Sequence, residues 1–333
     1  MWKVVKKSFI AILLICSLVI LAACSGETAS GGRKKTFKIG VLQLVTHDAL
    51  DAAYEGFVDG LKEAGLVEGE DFVIDYQNAQ GETSNCQTIA AKFVNDKVDL
   101  VLAIATPAAQ AMANETSEIP ILVTAVTDPE DAKLVESNEK SGTNVAGTSD
   151  LTPVKEQMEL LKEILPDVDT VAVLYNSSEA NSVFQVNLAK EAAEELGINV
   201  IDASVSQSSE IQSVVESVVG KAQAIYCPTD NMIASGMATV SMIALEAKMP
   251  VIVGEEGMLR NGGLATYGIN YYDLGKLTST QAIEIMKNNK NPADMPILYL
   301  EEFELLINKE VADSLGITIP VDLLEKAKFV NEE

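Results

Sequence analysis

The chain has 333 residues, with 24 Lys or Arg against 49 Asp or Glu and a formal net charge of −25. This acidity disfavours nucleic-acid binding, which depends on clustered Lys and Arg. One histidine and four cysteines argue against a His-rich zinc site and against a disulfide scaffold. The apolar fraction of 47% is enough for a sizeable core, and a chain of this length favours two domains of about 100–200 residues each.

The N-terminus has the features of a secretory signal. A short lysine-rich start precedes an apolar run from Phe9 to Ala23, which is shorter than the roughly 20 residues of a membrane span. The run ends in Leu-Ala-Ala-Cys, which resembles a bacterial lipobox, so residues 1–23 are predicted to be a signal peptide and Cys24 to carry lipid such as palmitate. An ordinary signal peptide with an incidental cysteine is the alternative. The polar, Gly- and Ser-rich stretch 24–36 is predicted to be a flexible tether at the extracytoplasmic face of the cell membrane.

From residue 37 onward, short apolar segments alternate with longer helical periods. This alternation predicts parallel sheets that helices cover on both faces. In the first half, the predicted strands are 38–43, 72–76, 99–103 and 120–123, and the predicted helices are 48–64, 84–95 and one from Pro107.

The pattern restarts after residues 142–152. The second set of predicted strands is 171–175, 198–202, 224–226 and 251–253, with helices over 179–196, from Glu210 and from Asn231. The same spacing separates Val41 from Gly65 and Val173 from Gly197, which supports two similar lobes. The last predicted elements are a helix over 274–287, a strand near 297–300 and a helix near 309–315.

These elements predict an α/β protein with two Rossmann-like lobes, whose parallel sheets are joined by a multi-strand hinge. The closing elements fit a chain that crosses between the lobes more than once. We assign the first lobe to 37–148 plus about 275–302, and the second lobe to 149–274 plus about 303–333.

Polar turns follow several predicted strands, where open parallel sheets bind ligands. The turns at Thr106 and Ser178 begin helices, so their backbone N–H groups suit a carboxylate. Asp128 or Asp230 would take an ammonium group, and together these groups suit a zwitterion such as an amino acid. The alternative for Thr106, Ser178 and Asp230 is helix capping, which is the usual role of such residues.

His47 has three interpretations. As a catalytic base it would need a nucleophile and an orienting group, and the sequence has no Gly-x-Ser-x-Gly element. As a core residue it would be oddly placed at the end of a strand, so a cleft residue that donates a hydrogen bond or stacks on a ligand fits best. No phosphate-binding glycine loop follows a predicted strand, and no cofactor, metal or catalytic residue is expected.

The turns of this chain resemble those of the substrate-binding lipoproteins of ABC transporters, the family that includes tryptophan-binding proteins. The matching segments are Asp75–Gly81, Ala103–Gln110, Thr124–Pro129, Tyr175–Ser182, Pro228–Asn231 and Leu315–Pro320. The resemblance implies a type I periplasmic-binding-protein fold and a membrane permease and an ATPase as partners. It also implies cleft positions at His47, Thr106, Asp128, Ser178, Asn181, Ser182, Asp230 and Asn231.

We therefore expect a monomeric, extracytoplasmic lipoprotein that delivers an amino acid to an ABC importer by closure of its two lobes. The resemblance favours an aromatic amino acid such as tryptophan, and the protein is not expected to be an enzyme. One alternative is a sensor that passes its closed form to a membrane receptor. A second is an extracellular hydrolase with His47 as its base.

Overall fold

The structure is a computed structural model, and it describes residues 35–330. The predicted signal peptide, Cys24 and most of the predicted tether lie outside the described residues. Between residues 35 and 330, no helix combines the length and the apolar character that a bilayer crossing requires.

Thirteen strands are described. They are β1 (Phe37–Gln43), β2 (Phe72–Asn78), β3 (Leu100–Ile104), β4 (Ile121–Val126), β5 (Val145–Ser149), β6 (Thr170–Asn176), β7 (Asn199–Val205), β8 (Ala224–Cys227), β9 (Val251–Val253), β10 (Ala265–Gly268), β11 (Ile297–Leu298), β12 (Glu304–Ile307) and β13 (Lys328–Phe329).

Twelve α-helices accompany them. They are α1 (Asp48–Glu63), α2 (Thr83–Asp96), α3 (Thr106–Glu115), α4 (Val154–Ile164), α5 (Ala180–Glu195), α6 (Ile211–Val218), α7 (Asn231–Ser235), α8 (Met237–Glu246), α9 (Glu256–Arg260), α10 (Tyr271–Asn288), α11 (Lys309–Leu315) and α12 (Val321–Leu324). Short 3₁₀ helices occupy Ser208–Glu210 and Pro292–Asp294.

The strands form two separate sheets. The first has the order β11-β5-β4-β3-β1-β2, and every pair in it is parallel. The second has the order β13-β12-β10-β9-β8-β6-β7, in which only β10 and β12 pair antiparallel among the described strands. We call each sheet with the helices packed on it a lobe. This architecture confirms the predicted α/β fold with two parallel-sheet lobes.

The central strands are apolar because both of their faces are covered. Every residue of β3 and β4 is buried. In the second sheet, Val171 and Val173 join one apolar cluster, while Ala172 and Leu174 join the cluster on the opposite face. Alternate side chains of one strand thus supply two cores.

The predicted helix stops are confirmed. α1 and α5 end at Glu63 and Glu195, and Gly65 and Gly197 follow in the left-handed conformation, with φ of +79° and +68°. Glycine adopts this conformation without the penalty that a Cβ would impose. Each glycine therefore turns the chain toward the next strand.

β5 and α4 are formed, although no strand or helix is predicted for either segment from the sequence. β5 has the sequence VAGTS and is fully buried, but its small and hydroxyl side chains lack the apolar pattern by which a buried strand is recognised in a sequence. α4 does carry a helical apolar period at Val154, Met158 and Leu161, all of which are buried. These two elements carry the chain from the first lobe to the second.

The described chain passes between the two sheets three times. The crossings follow Ser149 at the end of β5, Gly268 at the end of β10, and Leu298 at the end of β11. The chain segments between these ends and the next elements form the hinge region, which lies at one side of both sheets. Strands β2 and β7 form the edges of the sheets that are farthest from it.

Helix α10 returns from the second sheet to pack against α1 of the first lobe, and glycines permit the close approach. A Cβ on Gly56 would lie 1.9 Å from the carbonyl oxygen of Tyr272, and a Cβ on Gly275 would lie 2.0 Å from that of Ala53. Both clashes are with backbone, which cannot rotate away as a side chain can. The two helices are therefore held at a distance that only glycine allows.

The substitution Gly275→Ala should reduce the free energy of unfolding by at least about 2 kcal/mol, because a methyl group forces the two helices apart. Urea denaturation measures this loss. Thr280→Ala, at an exposed position of the same helix, is the control and should change stability by less than about 0.5 kcal/mol. Equal stabilities of the two variants would show that α1 and α10 are not in tight contact.

Candidate functional site

A cavity of about 20 Å³ lies between the carboxyl ends of the strands of the two sheets. This volume accommodates about one water-sized group. The polar residues around it come from both lobes and from the hinge region, namely His47, Thr127, Asp150, Asn181, Thr229, Asp230, Asn231, Glu255 and Tyr271. Of the described residues, no Lys or Arg lines this cavity. The cavity is therefore rich in carboxyl and amide groups and has no cationic side chain in its wall.

Hydrogen bonds between described residues join the lobes across the cleft. His47 Nε2 lies 3.3 Å from Asn231 Oδ1, and Asn261 Nδ2 donates to Asp48 Oδ2 at 3.0 Å. Gln185 Nε2 donates to Thr127 Oγ1 at a long 3.4 Å. The two lobes are thus in direct polar contact, as expected for a closed cleft.

Asp150 and Tyr271 join two of the hinge crossings. Asp150 directly follows β5, Tyr271 begins α10, and the Tyr271 phenol donates to Asp150 Oδ2 at 2.6 Å. Burial raises the pKa of Asp150 to about 6, although the hydrogen bond from Tyr271 opposes this shift. The Thr127 hydroxyl near this carboxyl also opposes the pKa shift, while the second carboxyl oxygen, Oδ1, is buried with no partner within hydrogen-bond distance.

Asp230 ties together three elements of the second lobe. Its Oδ1 accepts the backbone N–H of Ile233 at 2.9 Å and so caps α7. Its Oδ2 accepts the backbone N–H of Asn176 and the hydroxyl of Ser182, both at 2.6 Å. Burial raises the pKa of Asp230. Both oxygens of Asp230 are therefore hydrogen-bonded within the second lobe. Asp230 caps a helix, which is the alternative predicted from the sequence, and it also lines the cavity.

Glu179 is a second buried carboxyl behind the cavity. Its Oε1 accepts from Asn176 Nδ2 at 3.0 Å, and its Oε2 accepts from Asn231 Nδ2 at 2.7 Å. Burial, with the nearby charge of Asp230 as the next cause, raises the pKa of Glu179 to about 7. Glu179 therefore orients the amide of Asn231, which in turn faces His47 of the other lobe.

Three polar atoms of the cavity residues are buried without a hydrogen-bond partner. They are His47 Nδ1, Asp150 Oδ1 and Asn181 Oδ1. An unpaired buried polar group costs about 1–3 kcal/mol. A molecule that offered hydrogen-bond donors at this point would remove that cost, so these atoms make the cavity the candidate binding site.

A second, wider cavity of about 980 Å³ lies between the lobes on the side away from the hinge region. We call it the vestibule. It is bounded by the turns that follow the edge strands β2 and β7, and Asn231 lines both the vestibule and the small cavity. Apolar atoms of Val45, Pro107 and Met232 form part of its wall.

The structure brings together some of the residues predicted from sequence. His47, Asn181, Asp230 and Asn231 line the small cavity, and Ser182 supports it through Asp230. Ser178 is exposed and lines the vestibule. The roles assigned to these residues remain predictions.

Thr106 and Asp128 line neither of these two cavities. Thr106 is buried at the start of α3. Asp128 organises its own turn, where its Oδ1 accepts from Glu130 N at 3.0 Å and from Asn138 Nδ2 at 2.9 Å. The geometry gives no support to Asp128 as an ammonium partner, because its carboxyl faces a turn and not the cleft.

Sequence reasoning missed Asp150, Glu255 and Tyr271. Asp150 lies in the stretch 142–152, which was treated only as the boundary between the two halves of the pattern. Its position at the end of a buried segment, just before Thr152 and Pro153, was the available signal. Among residues 35–330, no group of His, Cys, Asp and Glu side chains could hold a metal ion.

Comparison with known proteins identifies the family. The family model described as ABC transporter substrate binding protein matches residues 38–331. The chain belongs to this family. A tyrosine-binding protein of Clostridioides difficile (strain R20291) is 42% identical to it over 324 residues, which cover 94% of each protein.

Two solved structures show how this substrate-binding protein compares with related ones. The ABC domain from Streptococcus pneumonia in complex with L-Trp is 40% identical, with a TM-score of 0.86 over 89% of this chain and 99% of that one. A ligand-free, open substrate-binding protein from Clostridium difficile is 44% identical, with a TM-score of only 0.68 over 90% and 100% of the two chains. The open relative therefore has the higher sequence identity to this chain but the lower structural similarity. This difference agrees with the hydrogen bonds across the cleft, since the structure has its lobes closed.

Glu255 makes the stability of the ligand-free protein depend on pH. Its carboxyl caps α9 by accepting the N–H groups of Gly257 and Met258, and burial raises its pKa from 4.5 to about 7. Between these values the folded state holds more protons than the unfolded state, so the free energy of unfolding falls as pH rises.

The substitution Glu255→Gln removes this titration. We expect the free energy of unfolding to depend less steeply on pH between 5 and 7, by up to about 1.4 kcal/mol per pH unit, which is the contribution of one proton. Urea denaturation of the ligand-free protein at several pH values measures the slope. A slope identical to that of the wild type would mean that Glu255 ionises normally in the folded state.

Proposed function

We propose that this substrate-binding protein binds an aromatic amino acid between its lobes and delivers it to an ABC importer. The observation that carries the proposal is the small cavity lined by unpaired acceptors. The relative named for tyrosine binding and the relative solved with L-Trp support the aromatic side chain. The protein releases its ligand unchanged, and lobe closure is its mechanism.

The small cavity suits the amino group of the ligand. An ammonium group has only hydrogen-bond donors, and the Asp150 carboxylate has an unpaired acceptor there. Asn181 Oδ1 is a second unpaired acceptor in the same wall. The ligand charge compensates a buried carboxylate that has no Lys or Arg beside it in the cavity wall. Asp150 therefore takes the role that the sequence analysis gave to Asp128 or Asp230.

The side chain of the ligand extends toward the vestibule, because a cavity of about 20 Å³ cannot hold an aromatic ring. Val45, Pro107 and Met232 offer an apolar wall in that direction. This division places amine recognition near the hinge region and side-chain recognition nearer to the mouth of the cleft.

The cellular setting of the proposal follows from the sequence and the family. Lipid on Cys24 holds the protein at the extracytoplasmic face of the membrane, and residues 24–36 give it reach as a tether. A permease and an ATPase are the partners that receive the closed, loaded form. We expect the protein to work as a monomer.

Thermal unfolding of the protein from Ser25 onward, with each common amino acid added singly, tests the ligand class. A ligand that binds only the folded state stabilises it by about 2.7 kcal/mol at a hundredfold excess over its Kd. We expect a large rise of the midpoint with tyrosine, tryptophan or phenylalanine, and none with their N-acetyl derivatives. Stabilisation by none of the aromatic amino acids would overturn the assignment.

Two matched substitutions test the position of the amine. Asp150→Asn removes a charged hydrogen-bond acceptor and should weaken binding by about tenfold to a hundredfold, which corresponds to the loss of a charge-assisted hydrogen bond. Asp128→Asn makes the same chemical change outside the cavity and should leave the affinity within about twofold. Isothermal titration calorimetry measures both. A larger loss of affinity in Asp128→Asn than in Asp150→Asn would instead identify Asp128 as the partner of the ammonium group.

A further inference from the structure

The only histidine of the chain meets the second lobe through Asn231. His47 precedes α1 in the first lobe, and its Nε2 lies 3.3 Å from Asn231 Oδ1. The other ring nitrogen, Nδ1, is buried without a partner beside the small cavity. Which nitrogen carries the proton therefore decides whether the cavity gains a donor or an acceptor.

Glu179 determines which ring nitrogen of His47 carries the proton, because it orients the amide of Asn231. Once Glu179 is ionised, its carboxylate can only accept, so the group of Asn231 that faces Glu179 Oε2 at 2.7 Å is then the NH₂ group. The carbonyl Oδ1 of Asn231 is then the atom that faces His47, and it also can only accept. The hydrogen bond across the cleft consequently requires a proton on His47 Nε2.

A neutral ring leaves Nδ1 as a bare acceptor. Burial lowers the pKa of His47, although the hydrogen bond to Asn231 and the charges of Asp51 and Asp48 oppose this shift. With its single proton on Nε2, the neutral imidazole presents a lone pair at Nδ1. His47 Nδ1, Asp150 Oδ1 and Asn181 Oδ1 are then three unpaired acceptors on residues that line one cavity, equal in number to the three N–H donors of a primary ammonium group.

We propose that Glu179 and Asn231 are positioning residues that hold His47 in the Nε2–H tautomer, so that its Nδ1 accepts a hydrogen bond from the amino group of the bound amino acid. The proposal rests on the proposed function for the identity of the ligand. The sequence-based interpretation makes His47 a hydrogen-bond donor or a stacking surface, so the acceptor role of Nδ1 differs from it. The Glu179–Asn231–His47 connection also spans the two lobes, so it forms only when the cleft is closed.

The tautomer is directly measurable because the chain has one histidine. In a long-range ¹H–¹⁵N spectrum of the labelled protein, the two ring nitrogens of His47 give the only imidazole signals. The measurement is made at pH 8, above the raised pKa of about 7 for Glu179. Burial is the main cause of the raised pKa of Glu179, and the nearby charge of Asp230 is the next cause. The Cys86 thiol near Glu179 stays neutral at this pH, because burial raises its pKa to about 11.

For the wild type with tyrosine bound, we expect a neutral imidazole with its proton on Nε2. The signal of Nδ1 should shift more than that of Nε2 when tyrosine is added, because Nδ1 gains a hydrogen bond. A proton on Nδ1, or on both nitrogens, in the complex would overturn the proposal. This experiment needs no variant, so it decides the tautomer even if substitutions disturb folding.

Glu179→Gln tests the positioning role. A Gln amide can either donate or accept, so Asn231 is no longer oriented, and both His47 tautomers should appear in the spectrum. Tyrosine affinity should fall about fivefold, as for the loss of one net hydrogen bond. Glu284→Gln is the matched control, because it removes a Glu–Asn hydrogen bond of 3.1 Å to Asn288 on the surface of α10. A pure Nε2–H tautomer and wild-type affinity in Glu179→Gln would refute the positioning role.

The same experiment separates this proposal from the proposed function. Tyrosine that binds to a protein with the wrong His47 tautomer would refute the proposed role of Glu179 and Asn231 while leaving the amino-acid site in place. If neither tyrosine nor any other amino acid binds, the proposed function fails, and the contact between His47 and the ligand fails with it.

Discussion

Closure of the two lobes buries hydrogen-bond acceptors without donors, and this imbalance is the constraint on which the site depends. Asp150 Oδ1, Asn181 Oδ1 and His47 Nδ1 all lack partners in the closed cleft. No protein group pairs these atoms, and a buried polar group left unpaired costs about 1–3 kcal/mol, so the closed form favours a donor that fills the cavity. Under the proposed function the ammonium group of the ligand is that donor, and ligand capture then stabilises the closed form.

Contacts within the second lobe and at the hinge region fix several of the groups around the cavity. Asp230 uses both oxygens to join the end of β6, helix α5 and helix α7, so it shapes the wall without being free to follow the ligand. Glycines at positions 56 and 275 lock α10 onto α1, and Tyr271 begins that same helix. The hydrogen bond from Tyr271 to Asp150 therefore links the packing of the first lobe to the orientation of the carboxyl at the hinge.

The sequence predicted the fold better than the site, and the reason is physical. Alternating apolar strands and amphipathic helices are local patterns, so the two lobes and the stops at Gly65 and Gly197 were found. Helix N-termini were also found, but a residue such as Asp230 has the same local sequence signal as a cap or as a ligand. Asp150 and Tyr271 are separated by 121 positions and meet only because the chain crosses between the lobes. No local pattern contains that contact.

Because the small cavity and the vestibule are separate, related proteins can differ in the ligand side chain that they prefer while keeping the same small cavity. The amine end of an amino acid is the same in tyrosine and tryptophan, and in the proposed function it is recognised by acceptors near the hinge region. The aromatic end differs by the size of the ring system and by a phenol or an indole N–H, and in the proposed orientation it lies toward the vestibule, which has many polar side chains. Substitutions in the vestibule can therefore change the preferred side chain without disturbing closure, because the acceptors that make closure depend on a ligand lie elsewhere.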